Sequence, residues 1–333
     1  MKASEQFLLP RTAVRMSRLG LGTAPIGGFP TDMSDKQAGQ TIIRATEQGM
    51  RLFDTAPSYG LGLAERRLGE ALRALPRSTL TISTKVGRLL RDASSDGGRA
   101  SLHAVKQRSA SSQFGSTRTV RDYSYDGAMR SMEASLQRLQ TDRLDIVYVH
   151  DPEEHMDEAI HGATRALIKL RDEGVIGAVG VGLDHSWIGL RFVGETDVDC
   201  LLVAGRCTLL DRTGTHELFP LCEKRGISVI AASVFNSGLL ADPVNNRMFR
   251  YKPADAAVLA QARLLSEICS RHGIPLKSAA LQFPYRYSVV VAVLVGARSP
   301  EEVDDAVTML SSTIPESLWE ELEAAWALLP QRE

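Results

Sequence analysis

RLFDTAPSYG at positions 51–60 joins a short apolar run to an acid, a proline and a tyrosine, and a helix-patterned segment, Ala64–Leu75, follows at once. In that segment Leu68, Ala71, Leu72 and Leu75 recur at i, i+3, i+4 and i+7, the spacing that gathers apolar side chains on one helix face. A strand that ends in Asp54 and hands over to a helix is one β–α cycle. LTISTK at 80–85 and LDIVYVH at 144–150 repeat the pattern and end in Lys85 and His150. Further strands are expected at Ser17–Thr23, Ala178–Leu183, Cys200–Ala204, Ile227–Ser233 and Val290–Gly296. Helices are expected over Asp35–Gln48, Tyr125–Leu139, Ala159–Glu173, Trp187–Val193, Leu218–Lys224 and Val258–His272, with a second segment at Leu276–Pro284 and a last helix from Pro300. Gly174 and Gly226 stand where a left-handed C-terminal cap would stop two of them. Eight such cycles favour an α/β closed barrel, the (β/α)8 or TIM barrel, over a doubly wound sheet, with residues 1–333 as one domain.

Three segments interrupt the rhythm. Glu5–Met16 precedes the first barrel strand and is expected to form a hairpin over the barrel floor. Arg88–Ser124 is polar and rich in Ser, Gly and Arg, with Phe114 and Tyr123 as its aromatics. Asn236–Asp255 separates the seventh strand from its helix. Long excursions after the third and seventh strands emerge on the face where strand C-termini converge, so both read as lids or specificity loops.

Composition excludes several classes. The chain has 333 residues, 39 Lys and Arg against 40 Asp and Glu, and a formal net charge of −1. The charges are dispersed, without the basic stripe that nucleic acid requires. Cys200, Cys207, Cys222 and Cys269 form no CxxC pair and read as reduced thiols. The start MKASEQFLLP lacks the apolar core of a signal peptide, and the longest apolar stretch, Val289–Val295, is too short to span a bilayer. A cytoplasmic enzyme with a small-molecule substrate is the expectation, with neither nucleic acid nor membrane as a partner.

Barrel topology makes one site of Asp54, Tyr59, Lys85 and His150, which stand at or just beyond the ends of three successive strands. Singly, each has a dull reading: a strand-end Asp caps turns, a Tyr after Pro packs, a strand-end Lys is solvated. Together they fit proton transfer. A phenol with a pKa of about 10 exchanges protons poorly near neutrality, and lowering it by about three units takes roughly 4 kcal/mol of differential interaction. The Lys85 ammonium is expected to supply that by stabilising the phenolate, Asp54 to keep Lys85 charged, and His150 to hold the reacting oxygen. The set lacks a redox centre, so a hydride carrier must be bound.

FDTAPSYG at 53–60, AERRLGEAL at 64–72, STK at 83–85 and YVH at 148–150 resemble the aldo-keto reductases, and the likeness runs from GLGTAPIGG at 20–28 to GARSPEEV at 296–303. The resemblance implies that Tyr59 is the proton donor and acceptor, Lys85 and Asp54 its activating pair, and His150 the substrate-orienting histidine. It also implies a nicotinamide cofactor bound across the barrel mouth without a Rossmann domain. In keeping with this, GLGTAP at 20–25 lacks the third glycine of GxGxxG, and GVGLDH at 180–185 has His185 there. By resemblance Gly22, Thr23, Ala24 and Asp54 border the cofactor. Ser233, Phe235, Asn236, Ser237, Gly238 and Leu239, within SVFNSGLL, form the loop that clasps its pyrophosphate. Gly296, Arg298 and Glu302 belong to the ribose loop, where a helix N-terminus is a natural anion site.

Departures from the family pattern are specific. Gly182-Leu183 replaces the Ser-Asn that holds the nicotinamide carboxamide, Ala204 replaces a Gln, and Ala232 stands where an aromatic stacks, so Phe235 is expected to stack instead. Glu302 would repel a 2′-phosphate and accept hydrogen bonds from a diol, which favours NAD, while Arg298 keeps NADP as the alternative. With LVAGRCTLLD at 202–211 and VFNSGLL at 234–240, the chain is most similar to the aldose 1-dehydrogenase branch, which includes D-threo-aldose (L-fucose) and L-galactose dehydrogenases and a pyridoxal 4-dehydrogenase. The resemblance implies oxidation of an anomeric hydroxyl (L-fucose, D-arabinose or L-galactose type) to the lactone, with pyridoxal oxidation, also a hemiacetal chemistry, as the alternative.

Other readings are weaker. His150 and His155 with Asp151, Glu153 and Glu154 match no metal spacing and read as an acidic loop, so no metal is expected. Trp187, Trp319 and Trp326 read as packing residues, and Glu316–Glu323 as an exposed face of a late helix. A cofactor-sensing subunit with little turnover is the reading of another class.

Overall fold

A computed structural model of the chain describes residues 1–92 and 117–327. Eight parallel strands close into a barrel: β1 Leu19–Gly22, β2 Leu52–Asp54, β3 Thr81–Val86, β4 Leu144–His150, β5 Ile176–Leu183, β6 Cys200–Ala204, β7 Ser228–Ala232 and β8 Val290–Gly296. Each pairs with the next, and β8 returns to β1 with Val293 opposite Leu19 and Gly296 opposite Gly22. The (β/α)8 expectation holds. The strands are buried on both faces, inward by their partners across the barrel and outward by the helices, which is why they read as nearly continuous apolar runs.

The helices carry the expected stripe. In Tyr125–Leu139 the buried positions Ala128, Ser131, Met132, Ser135 and Leu139 keep helical spacing, and the Ser124 hydroxyl caps the helix by accepting from Gly127 N at 3.0 Å. Helix Leu63–Leu72 packs against it so closely that a Cβ at Gly69 would lie 2.2 Å from Leu139 O. That helix stops three residues before the expected Leu75, with Pro76 just beyond.

The expected helix Ala159–Glu173 is split. Ala159–Thr164 is a π-turn between Met156–Glu158 and Arg165–Asp172. Its cause is an outside acceptor: Ala163 N donates to Tyr123 O at 2.8 Å, and Thr164 Oγ1 donates to Ala159 O at 2.7 Å. The Tyr123 backbone is thereby tied to the helix beneath the catalytic face.

The N-terminal hairpin pairs Gln6–Leu8 with Arg15–Ser17, and Leu9, Val14 and Met16 pack with the inward residues Leu52, Ile146, Tyr148, Leu202, Ile230 and Leu294. It closes the floor as expected. At the other end, the described flanks of the 88–124 excursion form an antiparallel ribbon, Arg88–Asp92 with Thr117–Arg121; Phe114 lies outside the described residues. No helix among the described residues is long and apolar enough to cross a membrane.

Candidate active site

The parity of β3 starts the site. Ser83 and Lys85, two residues apart, share the inward face. The Ser83 hydroxyl donates to Asp54 Oδ1 at 2.8 Å, while Lys85 Nζ donates to Asp54 Oδ2 at 2.5 Å and to Thr55 O at 2.8 Å. Asp54 is the last residue of β2, in register with Ser83, so both strands deliver their polar ends to one point. Tyr59 follows in the loop after β2, and its ring centroid lies 4.8 Å from Lys85 Nζ. His150, the last residue of β4, meets Tyr59 edge-on, with centroids 6.0 Å apart and an interplanar angle of 89°. All four residues are brought together. Asp54, Lys85 and His150 are buried, and Tyr59 is half-buried at the mouth.

Glycine sets the Tyr59 loop. Gly60 has φ +60°, and a Cβ there would lie 2.2 Å from Gly27 O in the loop after β1. The loops of β1 and β2 therefore touch backbone to backbone beside the phenol.

Burial and charge compete at each group. Burial works against the Lys85 ammonium, yet Asp54, followed by Tyr59, outweighs it and raises the Lys85 pKa. His150 is pushed well below the usual imidazole range, first by burial and then by the Arg88 and Lys85 charges, and is neutral. Tyr59 departs from expectation. Lys85 does pull its pKa down, but burial is the larger effect, joined by Asp54, and the net shift is upward. The site holds a protonated phenol beside a charged ammonium.

Three residues that the sequence reading did not single out complete the wall. Arg88 donates to Asp151 Oδ2 at 2.7 Å, and that same oxygen lies 3.4 Å from His150 Nε2. The Tyr123 hydroxyl bridges His150 O and Asp151 O at 2.6 and 2.7 Å, so this residue of the long excursion locks the end of β4. Arg206 reaches Asp184 O and pairs with buried Asp211 at 3.0 Å, and Asp211 also pairs with Arg250 of the β7 loop. The available signal was an arginine within three residues of a strand-end site residue at each of positions 88 and 206.

The expected cofactor residues line the same mouth. Gly22, Thr23 and Ala24 follow the end of β1, and Thr23 N donates to Asp54 O at 2.9 Å. Thr23 Oγ1 and Thr55 Oγ1 are buried with no partner among the described residues. The ends of β5, β6 and β7 bring Gly182, Ala204 and Ala232, all small, to the mouth, while Leu183 turns outward against Gly189 of the helix Ser186–Glu195. After β7 the chain turns with Ser233, Asn236, Ser237 and Gly238 all at positive φ. The space beside Gly238 serves the loop itself, because a Cβ there would meet Asn246 Nδ2 at 2.4 Å. Phe235 packs against the core with Lys277 Nζ 5.8 Å from its ring centroid. Buried unpaired hydroxyls, small residues at three strand ends and a turn held at positive φ fit a nicotinamide dinucleotide.

The ribose loop is organised around Glu302. The N-terminus of helix Pro300–Ser311 already holds its own carboxylates: Ser299 accepts from Glu302 N at 3.4 Å, and Glu302 Oε2 accepts from Arg298 N at 2.8 Å. Arg298 in turn clasps Glu302 Oε1 through Nε and Nη2 at 3.0 and 2.6 Å. Glu302 thus folds back over this helix end, onto the residue before the Ser299 cap.

His155 stacks on Tyr123, and Glu154 pairs with Arg121, so the acidic loop is engaged in protein contacts. Burial, then Asp151, raises the Glu153 carboxyl to about 7. Trp319 is buried and Trp326 flanks Arg212 at 4.4 Å, whereas Trp187 is exposed rather than packed. The late helix, Glu316–Ala327, presents Glu316 to Arg286 at 2.6 Å.

A (β/α)8 barrel with a buried Asp–Lys pair, a phenol and a neutral imidazole at its mouth defines a class of nicotinamide-dependent oxidoreductase that carries its cofactor without a Rossmann domain. The chain belongs to the aldo/keto reductase family, whose model matches residues 18–327. It is 39% identical over 338 residues to the pyridoxal 4-dehydrogenase of Microbacterium luteolum, covering 97% of this chain and 98% of that one. It is 38% identical over 310 residues to a D-threo-aldose 1-dehydrogenase of a Pseudomonas species, covering 92% and 93%. In fold it is similar to the solved glycerol dehydrogenase of Gluconobacter oxydans, with a TM-score of 0.77 at 24% identity over 99% of this chain and 98% of that one.

Proposed function

We propose that this oxidoreductase uses NAD to oxidise the anomeric hydroxyl of an aldose to the corresponding lactone, with Tyr59 as the proton acceptor. The observation that carries the reading is the contact set Asp54–Lys85–Tyr59–His150, in which an ammonium and a neutral imidazole flank one phenol. The two curated relatives named above support the substrate class, since aldoses and pyridoxal both exist as cyclic hemiacetals. His150 holds the substrate hydroxyl oxygen by hydrogen bond, Tyr59 Oη takes its proton, and Lys85 stabilises the phenolate while Asp54 keeps Lys85 charged. NAD, when bound, would supply the hydride acceptor at nicotinamide C4. The C–H bond gives up its pair, the oxygen its proton, and the ring carbon becomes a lactone carbonyl. The Arg298–Glu302 clasp favours NAD over NADP, because the arginine that could meet a 2′-phosphate is held by a carboxylate.

The relative named for pyridoxal supports a second substrate on the same chemistry, pyridoxal going to 4-pyridoxolactone. One panel separates the readings: the protein with NAD and L-fucose, D-arabinose, L-galactose or pyridoxal, followed by NADH absorbance. Turnover of a sugar supports the proposal and turnover of pyridoxal alone supports the second reading. Tight cofactor binding without turnover of any hemiacetal or simple aldehyde would instead make the chain a cofactor-sensing subunit.

A further inference from the structure

Asn236 belongs to the loop expected to clasp the pyrophosphate, but its side-chain amide has a separate character. It lies in the loop after β7, is only 3% exposed, and its Oδ1 has no partner among the described residues. Its backbone is held at φ +47° by Asn236 N donating to Ser233 O at 3.0 Å, so the side chain is aimed by a turn rather than by packing alone. Gly205, just past the end of β6 with φ +71°, lies beside it: a Cβ there would stand 4.0 Å from Asn236 Nδ2 and 3.8 Å from Ser233 Cβ. A buried amide oxygen without a donor costs about 1–3 kcal/mol, a penalty that persists where a ligand supplies the missing N–H.

Its surroundings narrow that ligand. Gly182, Leu183, Ala204 and Ala232 at the neighbouring strand ends provide no hydrogen-bonding side chain, and a Cβ on Gly182 would be 3.8 Å from Lys85 Cε. The nicotinamide-dependent reading puts a flat ring beside the proton-transfer group, over these small residues. A primary amide on that ring pairs with a buried amide by matched donor and acceptor. We propose that Asn236 is the residue that grips the carboxamide of the nicotinamide ring, in place of the polar side chains that β5 and β6 lack. The assignment rests on the nicotinamide-dependent reading above, and it makes Asn236 a positioning residue that sets which edge of the ring faces Tyr59.

Equilibrium binding tests it without turnover. NAD and ADP-ribose, which lacks the nicotinamide, are titrated against the full chain, the Asn236→Gly variant, which suits the positive φ, and the Asn236→Asp variant, which keeps an acceptor. The wild-type titration with NAD reports on the cofactor reading itself: no binding there sinks that reading and this inference with it. If NAD binds, Asn236→Gly is expected to weaken NAD about tenfold and ADP-ribose less than twofold, with Asn236→Asp recovering most of the loss. An equal loss for both ligands makes Asn236 a support of the loop, and no loss for either removes it from the site; both overturn the assignment.

Discussion

Asp54 and Lys85 meet at 2.5 Å where water scarcely reaches, and the same ammonium stands 4.8 Å from the centre of the Tyr59 ring. One buried charge pair thus supports the barrel mouth and loads the phenol. The two duties are separable by measurement. Removing one partner of a buried pair typically costs about 3–5 kcal/mol, so Asp54→Asn is expected to lower Tm strongly. Tyr59→Phe, which leaves the Asp54–Lys85 pair intact, should keep Tm and cofactor affinity near wild type while kcat falls ~100-fold or more. Equal thermal losses in the two variants would contradict this division.

The pH dependence of oxidation follows from the Tyr59 balance. Lys85 lowers the phenol pKa while burial and Asp54 raise it, so Lys85→Gln removes the main downward pull. A base must be ionised to act, so the rising limb of kcat against pH should move to higher pH, by about a unit or more. A limb that stays in place would remove Tyr59 from the role of base.

Cofactor choice hangs on the ribose loop. Glu302→Gln takes the negative charge off Arg298 and leaves a guanidinium able to meet a 2′-phosphate. Its kcat/KM for NADP is expected to rise roughly tenfold relative to NAD. The wild type should favour NAD; a lower KM for NADP in the unaltered chain would end the NAD reading.

Glu153 ties stability to pH. Burial and Asp151 raise its carboxyl from 4.5 to about 7, so between those values the folded chain holds a proton that the unfolded chain has lost. Native proton uptake makes stability fall as pH rises through that window. Glu153→Gln, which mimics the protonated acid, should raise Tm at pH 8 by about 1–3 °C and change it little at pH 5. Scanning calorimetry at the two pH values checks the sign.

Much of the fold was legible because barrel strands are buried on both faces. Leu144–His150, Cys200–Ala204 and Val290–Gly296 could be bounded to the residue, since each apolar run ends at a polar or glycine step. The four residues at the mouth were legible because topology alone brings strand ends together. What was hidden depends on partners distant in sequence. The π-turn at Ala159–Thr164 exists because of Tyr123 O, and the occupied helix end at Pro300 exists because Arg298 and Glu302 find each other. Tyr59 was misjudged for the same reason: a charge next door can be inferred from spacing, but the depth of burial that outweighs it cannot.

The touch between Gly60 and Gly27 bears on how such a site diversifies. Two loops meeting through bare backbone leave no room for a side chain at either glycine, so that point of the mouth is closed to variation. New substrates would have to be accommodated by the long loops after β3 and β7 that flank it. A library randomised at both glycines should return glycine at both, whereas one spread over those two loops should yield altered preferences.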